Sequence, residues 1–407
     1  MKSVYCTIIT IGDELLIGQT IDTNSAWIAQ QLNPLGIRIK RRLAVGDNKH
    51  DIIEALNQEI NEVDIILLTG GLGPTSDDIT KPLLCEYFGG TLIENTEVLE
   101  HVKAFFAKRN RPMLQSNLNQ ALVPDVCEVL FNDVGTAPGM LFKKDSCTIV
   151  SMPGVPYEMQ HIMREHVLNK LKTSYPTTNF IHRTLLTAGQ GESFVAEKLI
   201  SFESTLPSSI KLAYLPKLGT LKLRLTGENI EESLMNQYFN SLCDVLKDIS
   251  VAPYDTDLEH IIHEILSTNK FTVSTAESCT GGLIASSFTS LKGASNFFKG
   301  GLISYATEIK TEVLGVNKST IENHQVVSQQ VVLEMAENAR QMFKTGYAIS
   351  TSGYLEKGEH NNEVWIGIAG PNSSKAHQII VPFDREKNAV LTVNTALNLL
   401  RLFILAN

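Results

Sequence analysis

Short apolar runs rich in branched residues alternate along most of the chain with stretches whose apolar residues recur at helical spacing. In the first part, 4–11 and 37–45 read as strands, and between them Asp22-Thr23 can cap a helix carrying Trp27, Ile28 and Leu32. A helix with Ile52, Ile53, Leu56 and Ile60 follows. The next run, 63–68, is apolar at nearly every position, as expected of a strand covered on both faces of a parallel sheet. Ile79, Leu83, Leu84 and Tyr87 predict one further helix, and Val98, Leu99, Val102, Phe105 and Phe106 another. A strand over 148–152 is then closed by Pro153-Gly154-Val155-Pro156, a rigid turn ahead of a helix from Tyr157. Alternation of this kind predicts an α/β domain, with ligands beyond the carboxyl ends of its strands.

The pattern changes further on. Strand 181–188, helix 192–200, strands 210–214 and 221–226 and helix 230–246 predict a small α+β module. Val251-Ala252-Pro253-Tyr254-Asp255 reads as a linker. A second α/β pattern begins with a helix through Leu258, Ile261, Ile262, Ile265 and Leu266, a strand over 271–275, a helix over 283–291 and a strand over 300–305. The expected domains are 1–171, 172–250 and 251–407.

Composition narrows the function classes. With 35 basic and 44 acidic residues the formal charge is −9, which argues against nucleic acid as the main ligand. Cys6, Cys85, Cys127, Cys147, Cys243 and Cys279 are scattered without a C-x-x-C pair, as in reduced structural thiols of a cytoplasmic protein. No apolar run reads as a membrane span, and no signal-peptide core is seen at the start.

Two stretches carry candidate chemistry. After the strand 63–68 the chain reads Thr69-Gly70-Gly71-Leu72-Gly73-Pro74-Thr75-Ser76-Asp77-Asp78. The amides of Gly70, Gly71 and Gly73 can cradle phosphate, Thr75 adds a hydroxyl, and Asp77 and Asp78 offer hard oxygen ligands for a metal. Asp13, after Gly12, and Asp47, after Gly46, fall at neighbouring strand ends, so acidic groups from three turns can converge. A plain strand-to-helix turn with an aspartate cap accounts for any one of these alone. In the last domain, Ser278 stands at a strand-to-helix turn before Thr280-Gly281-Gly282, whose amides can form an oxyanion site. Lys310, one turn after Tyr305, can serve as the base for a serine. The plain alternatives are a helix cap at Ser278, a core aromatic at Tyr305 and a surface lysine at Lys310.

Taken together, Gly-Asp-Glu-Leu-Leu-x-Gly at 12–18, Asp22-Thr23-Asn24, Val45-Gly46-Asp47, the glycine loop and Pro153-Gly154-Val155-Pro156-Tyr157-Glu158-Met159 resemble the N-terminal domain of CinA (competence/damage-inducible) proteins. That domain is similar to molybdopterin-binding domains. The resemblance implies a three-layer α/β fold, ADP-ribose pyrophosphatase activity with a divalent metal (Mg2+, Co2+ or similar), and K+ as a further cation. It adds Asn24, Asp47, Pro153 and Gly154 to the nucleotide-binding residues. The middle region resembles a KH-like module but has only Gly189-Gln190-Gly191-Glu192 in place of a basic G-x-x-G loop, so a connecting or dimer-forming role is expected. Residues 275–282 with Tyr305 and Lys310 resemble the C-terminal CinA domain, which is similar to nicotinamide-mononucleotide (NMN) amidohydrolases. This implies Ser278 as nucleophile, Tyr305 and Lys310 as proton carriers, and a homodimer. Two departures stand out: 354–363 lacks the family's glycine-rich loop, and Ala389 replaces its second arginine. Weak or absent NMN turnover is therefore expected. The alternative is a non-catalytic protein binding nucleotides or a molybdopterin-like ligand, linked to competence and DNA damage.

Overall fold

The strand Ile65–Thr69 is buried at all five positions because it stands third in a six-stranded sheet with helices on both faces. In order the sheet runs Ile37–Val45, Val4–Ile11, Ile65–Thr69, Cys147–Met152, Gly139–Lys144 and Glu128–Leu130. The first four strands are parallel and the last two antiparallel. Successive residues serve opposite cores. Ile8 and Leu67 pack with Ile28, Leu32, Met159 and Ile162, whereas Ile9, Ile66 and Leu68 pack with Ile52, Leu56, Leu83 and Leu84. Such two-sided burial explains why these strands read as unbroken apolar runs. The expected three-layer α/β architecture is the one observed.

The computed structural model describes residues 3–75, 77–110, 112–175, 180–356 and 362–407, and the chain divides into two compact units, residues 1–180 and 181–407. The boundary expected at 171/172 falls inside the helix Leu168–Ser174. That expected at 250/251 falls inside the strand Ser250–Ala252, which pairs antiparallel with Phe180–Ala188. Val251 and Ala252 are thus strand residues rather than linker; their run was too short to show a period.

The second unit holds two sheets. The smaller is ordered Ile210–Lys217, Thr220–Glu228, Phe180–Ala188 and Ser250–Ala252, and it packs with the helices Glu192–Glu203 and Glu232–Val245 around Val195, Leu199, Phe239 and Leu242. The larger is ordered Phe298–Ile303, Val273–Glu277, Tyr347–Gly353, Glu363–Ala369 and Ser374–Ile380, with the first three strands parallel. Helices Leu258–Thr268, Leu283–Thr289 and Arg385–Leu405 contribute to the core on one face. Gln329–Met342 packs on the other. Contrary to the sequence expectation, one apolar helix, Arg385–Leu405, has the length and composition to cross a membrane. It is instead a core helix: Val393, Ala396, Leu397, Leu400 and Phe403 are buried in the sheet's apolar cluster.

Candidate functional site

The central strand Val273–Glu277 ends at the carboxyl edge of the larger sheet, where Glu277 pairs with Ile303 on one side and Thr351 on the other. Ser278 comes next and is locked in place: its N–H donates to Thr351 O at 3.0 Å, and Ser304 N–H donates to Glu277 O at 2.8 Å. The chain then turns through Gly281 and Gly282, at φ 61° and 98°, into the helix Leu283–Thr289. Side chains are strained at those angles, so glycine is required.

Glu277 is the organising group of this turn. Its carboxylate is 1% exposed and accepts from Gly282 N–H at 3.0 Å, Ile284 N–H at 3.0 Å, Ala285 N–H at 2.8 Å and the Thr280 hydroxyl at 2.7 Å. First-turn amides of a helix have no partner of their own, and the helix dipole favours an anion there. The amides of Gly281 and Gly282, expected to face a substrate, are therefore spent, the first on Ser278 O and the second on Glu277. Among the described residues, the N–H groups of Cys279 and Thr280 are the ones in this turn left without an acceptor.

Lys310 reverses its plain reading. It is 1% exposed, held in the widened helical turn Ile309–Val313, and its Nζ lies 3.0 Å from Ser278 Oγ. Two of its protons are taken by Ser304 O at 2.6 Å and Tyr305 O at 3.2 Å. When the amine is neutral, its lone pair therefore points at the serine hydroxyl. Burial favours that form by lowering the lysine pKa, with only a partial opposing pull from Cys279. Burial also pushes the adjacent Cys279 thiol up to about 12, which leaves Ser278 as the nucleophile of the pair. Tyr305, in turn, is 60% exposed rather than core, and its hydroxyl accepts from Arg385 Nη2 at 2.8 Å. Ser278, Lys310, Tyr305, Thr307, Glu356 and Arg385 line a pocket of about 350 Å³.

In the first unit the three predicted turns do meet. Gly70, at φ 115°, donates its N–H to Met152 O at 3.0 Å, and a Cβ there would lie 2.3 Å from Ile11 O. A Cβ on Gly154, just past Pro153, would come within 3.3 Å of Gly70 Cα, and Asn24 Nδ2 donates to Gly154 O at 2.7 Å. The amides of Gly71, Leu72 and Gly73 find no acceptor among the described residues, which leaves an anion cradle. Thr75 is exposed and tied within its own loop: its N–H donates to Asp78 Oδ2 at 3.0 Å and its hydroxyl donates to the same oxygen. Ser76 lies outside the described residues.

The expected metal trio is not assembled. Asp13 pairs with Asp47, each carboxylate accepting the other's N–H at 2.9 and 3.2 Å, while Asp78 is tied to Thr75 and Asp77 is exposed. Among the described residues no three His, Cys, Asp or Glu side chains group as metal ligands. Burial raises the Asp47 carboxyl; the Asp13 N–H pulls it back, and the carboxylates of Asp13, Glu14 and Asp77 add to the rise. Among the described residues, one oxygen each of Asp13 and Asp47 has no hydrogen-bond donor. Two hard oxygens beside a phosphate cradle fit a Mg2+-type ion sharing its coordination with substrate phosphates, and do not fit an ion held by protein alone.

Residues 7–173 match the family described as "Probable molybdopterin binding domain", and residues 255–404 match the "CinA C-terminal domain". The chain is 45% identical to a CinA-like protein of Flavobacterium psychrophilum, over 98% of its own length and 99% of that protein's. It belongs to the CinA family. It is also similar to CinA-like proteins of Cytophaga hutchinsonii, 40% identical over 98% of this chain and 97% of that protein. With that of Salinibacter ruber it is 35% identical over 96% of this chain and 97% of that protein.

Ala389, where the resemblance led to an arginine being expected, sits inside the fold. It is 8% exposed and packs in the core of the second unit. Arg385, one helical turn earlier, is the cation that reaches the pocket. Sequence reasoning passed over it, and over Glu277, although a carboxylate directly before a glycine turn and helix was the available signal for the latter. Of the altered loop, Lys357 and His360 lie outside the described residues.

Proposed function

We propose that the second unit hydrolyses the carboxamide of a small nucleotide of the NMN type, through Ser278 and Lys310. The observation that carries this reading is the 3.0 Å approach of a buried lysine amine to Ser278 Oγ, with its other protons held by backbone carbonyls. Neutral Lys310 takes the hydroxyl proton as Ser278 Oγ attacks the amide carbon. The oxyanion is placed toward the Cys279 and Thr280 N–H groups. Lys310 then returns the proton to the departing nitrogen, ammonia leaves, and an ester remains on Ser278. Water, deprotonated by the same lysine, releases the carboxylate and restores the serine. Ammonia release from NMN by the full chain tests the reading, and no release at millimolar NMN would sink it.

Arg385 and Thr307 on the rim are suited to the substrate phosphate. Since Ala389 supplies no second cation, the phosphate hold falls to Arg385, and a weak hold shows in KM. Arg385→Ala is expected to raise KM by about 10- to 100-fold with little change in kcat. A change confined to kcat would contradict a phosphate role.

For the first unit we infer binding of a diphosphate nucleotide such as ADP-ribose on the Gly71–Gly73 amides, beside Asn24 and Gly154. A divalent cation would be held by Asp13 and Asp47 together with the phosphates, and would supply charge neutralisation at the diphosphate. The protein's own part is to present fixed amides and orient the diphosphate. A Cβ on Gly71, at φ 66°, would lie 2.0 Å from Thr80 Oγ1. Gly71→Ala is therefore expected to weaken ADP-ribose binding, followed by calorimetry, by about tenfold or more. Unchanged affinity would move the nucleotide elsewhere.

A further inference from the structure

A second cavity, of about 530 Å³, lies in the second unit between the four-stranded module and the helix Arg385–Leu405, and shares no lining residue with the Ser278 pocket. Much of its wall is apolar, built by Leu391, Leu399 and Leu402 of that helix with Ile379 and Ile380 of the strand Ser374–Ile380. Leu402 and Ile380 are 45% and 60% exposed.

One end of the cavity is built of hydrogen-bond donors. The helix Glu192–Glu203 opens onto it from Gly189-Gln190-Gly191, and Gly191 at its N-cap offers no side chain to the first-turn amides. Asn398, 7% exposed, lines the same space. Its Oδ1 accepts from Arg401 Nε at 3.2 Å, and its NH2 lies 3.3 Å from where a Cβ of Gly189 would stand. Among the described residues no acceptor is found for that NH2. It faces the cavity, where an acceptor carried by a ligand would meet it.

Donors at one end and hydrocarbon along the wall select an amphipathic anion. The rim excludes a heavily charged one: Lys217 is already bonded to Asp257 at 2.9 Å, and Glu192 adds a negative charge. We propose that this cavity binds a small monocarboxylate with an apolar tail. Its carboxylate sits on the N-terminus of Glu192–Glu203 and the Asn398 NH2, and its tail lies along Leu391, Leu399 and Leu402.

Calorimetric titration of the full chain with decanoate, and with 1-decanol for comparison, tests the proposal. Decanoate should bind saturably, and decanol at least about tenfold more weakly. Asn398→Asp keeps an acceptor for Arg401 while replacing the donor with a carboxylate, and should weaken decanoate binding by a similar factor. Leu402→Glu, at an exposed position of the tail wall, should do the same with an unchanged thermal midpoint, so the test survives if Asn398→Asp folds poorly. Absence of saturable decanoate binding would overturn the proposal. So would equal binding of decanol, or parental affinity in a folded Asn398→Asp or Leu402→Glu.

Discussion

Ser278→Ala is expected to lower kcat/KM for carboxamide hydrolysis by about 10⁴-fold or more, and Lys310→Met by roughly 10³- to 10⁴-fold. The double variant should be little worse than either single one, because the two groups act in one step. Lys310→Arg should not rescue: a guanidinium stays charged and cannot accept the serine proton. The pH dependence follows from the direction of the lysine shift. Burial lowers the Lys310 pKa, so the reactive neutral amine accumulates at lower pH than in an ordinary lysine. The rate should rise with pH and level off before the ordinary lysine range is reached. Full activity in Lys310→Met, or a rate that climbs without levelling through that range, would remove the lysine from the base role.

Glu277→Ala should cost the second unit about 3 kcal/mol or more, because three helix amides and a threonine hydroxyl lose their shared buried acceptor together. Glu277→Gln preserves the volume but turns an NH2 toward N–H donors, and should recover only part of that loss. Urea unfolding of the full chain, with the transition of the second unit followed separately, measures both. A loss below about 1 kcal/mol in the alanine variant would mean that water replaces the carboxylate at little expense. The same variants bear on the site, since the turn that Glu277 holds also sets Ser278 and the amides of Cys279 and Thr280.

The sheets were legible wherever burial on both faces produced an unbroken apolar run, as in Ile65–Thr69 and Cys147–Met152. Short edge strands such as Glu128–Leu130 and Ser250–Ala252 carry only three residues each, too few for any periodicity. At the site, residue types and spacing singled out Ser278 and Lys310, and folding brings them into contact. Spacing could not reveal that Lys310 is interior and Tyr305 exposed, because a π-type turn departs from the 3.6-residue period on which facing is judged. Nor could it tell which amides of a glycine turn remain free. That depends on Glu277 swinging across seven and eight residues to reach Ile284 and Ala285. In the first unit, aspartates at three strand ends suggested one cluster. Backbone N–H groups divide them instead, pairing Asp13 with Asp47 and leaving Asp78 to its own loop.

Ser278, Lys310 and the amides of Cys279 and Thr280 are all carried by the sheet edge and the turns that leave it, and Arg385 by the start of a buried helix. The chain between Gly353 and Glu363 joins two paired strands whose register continues to Gly353↔Val364. Ser278, Lys310 and the Cys279 and Thr280 amides thus lie outside that connection. On the function proposed above, the groups assigned to the reaction sit at the sheet edge while Glu356, on this connection, lines the pocket, so reaction and admission of substrate can be altered separately.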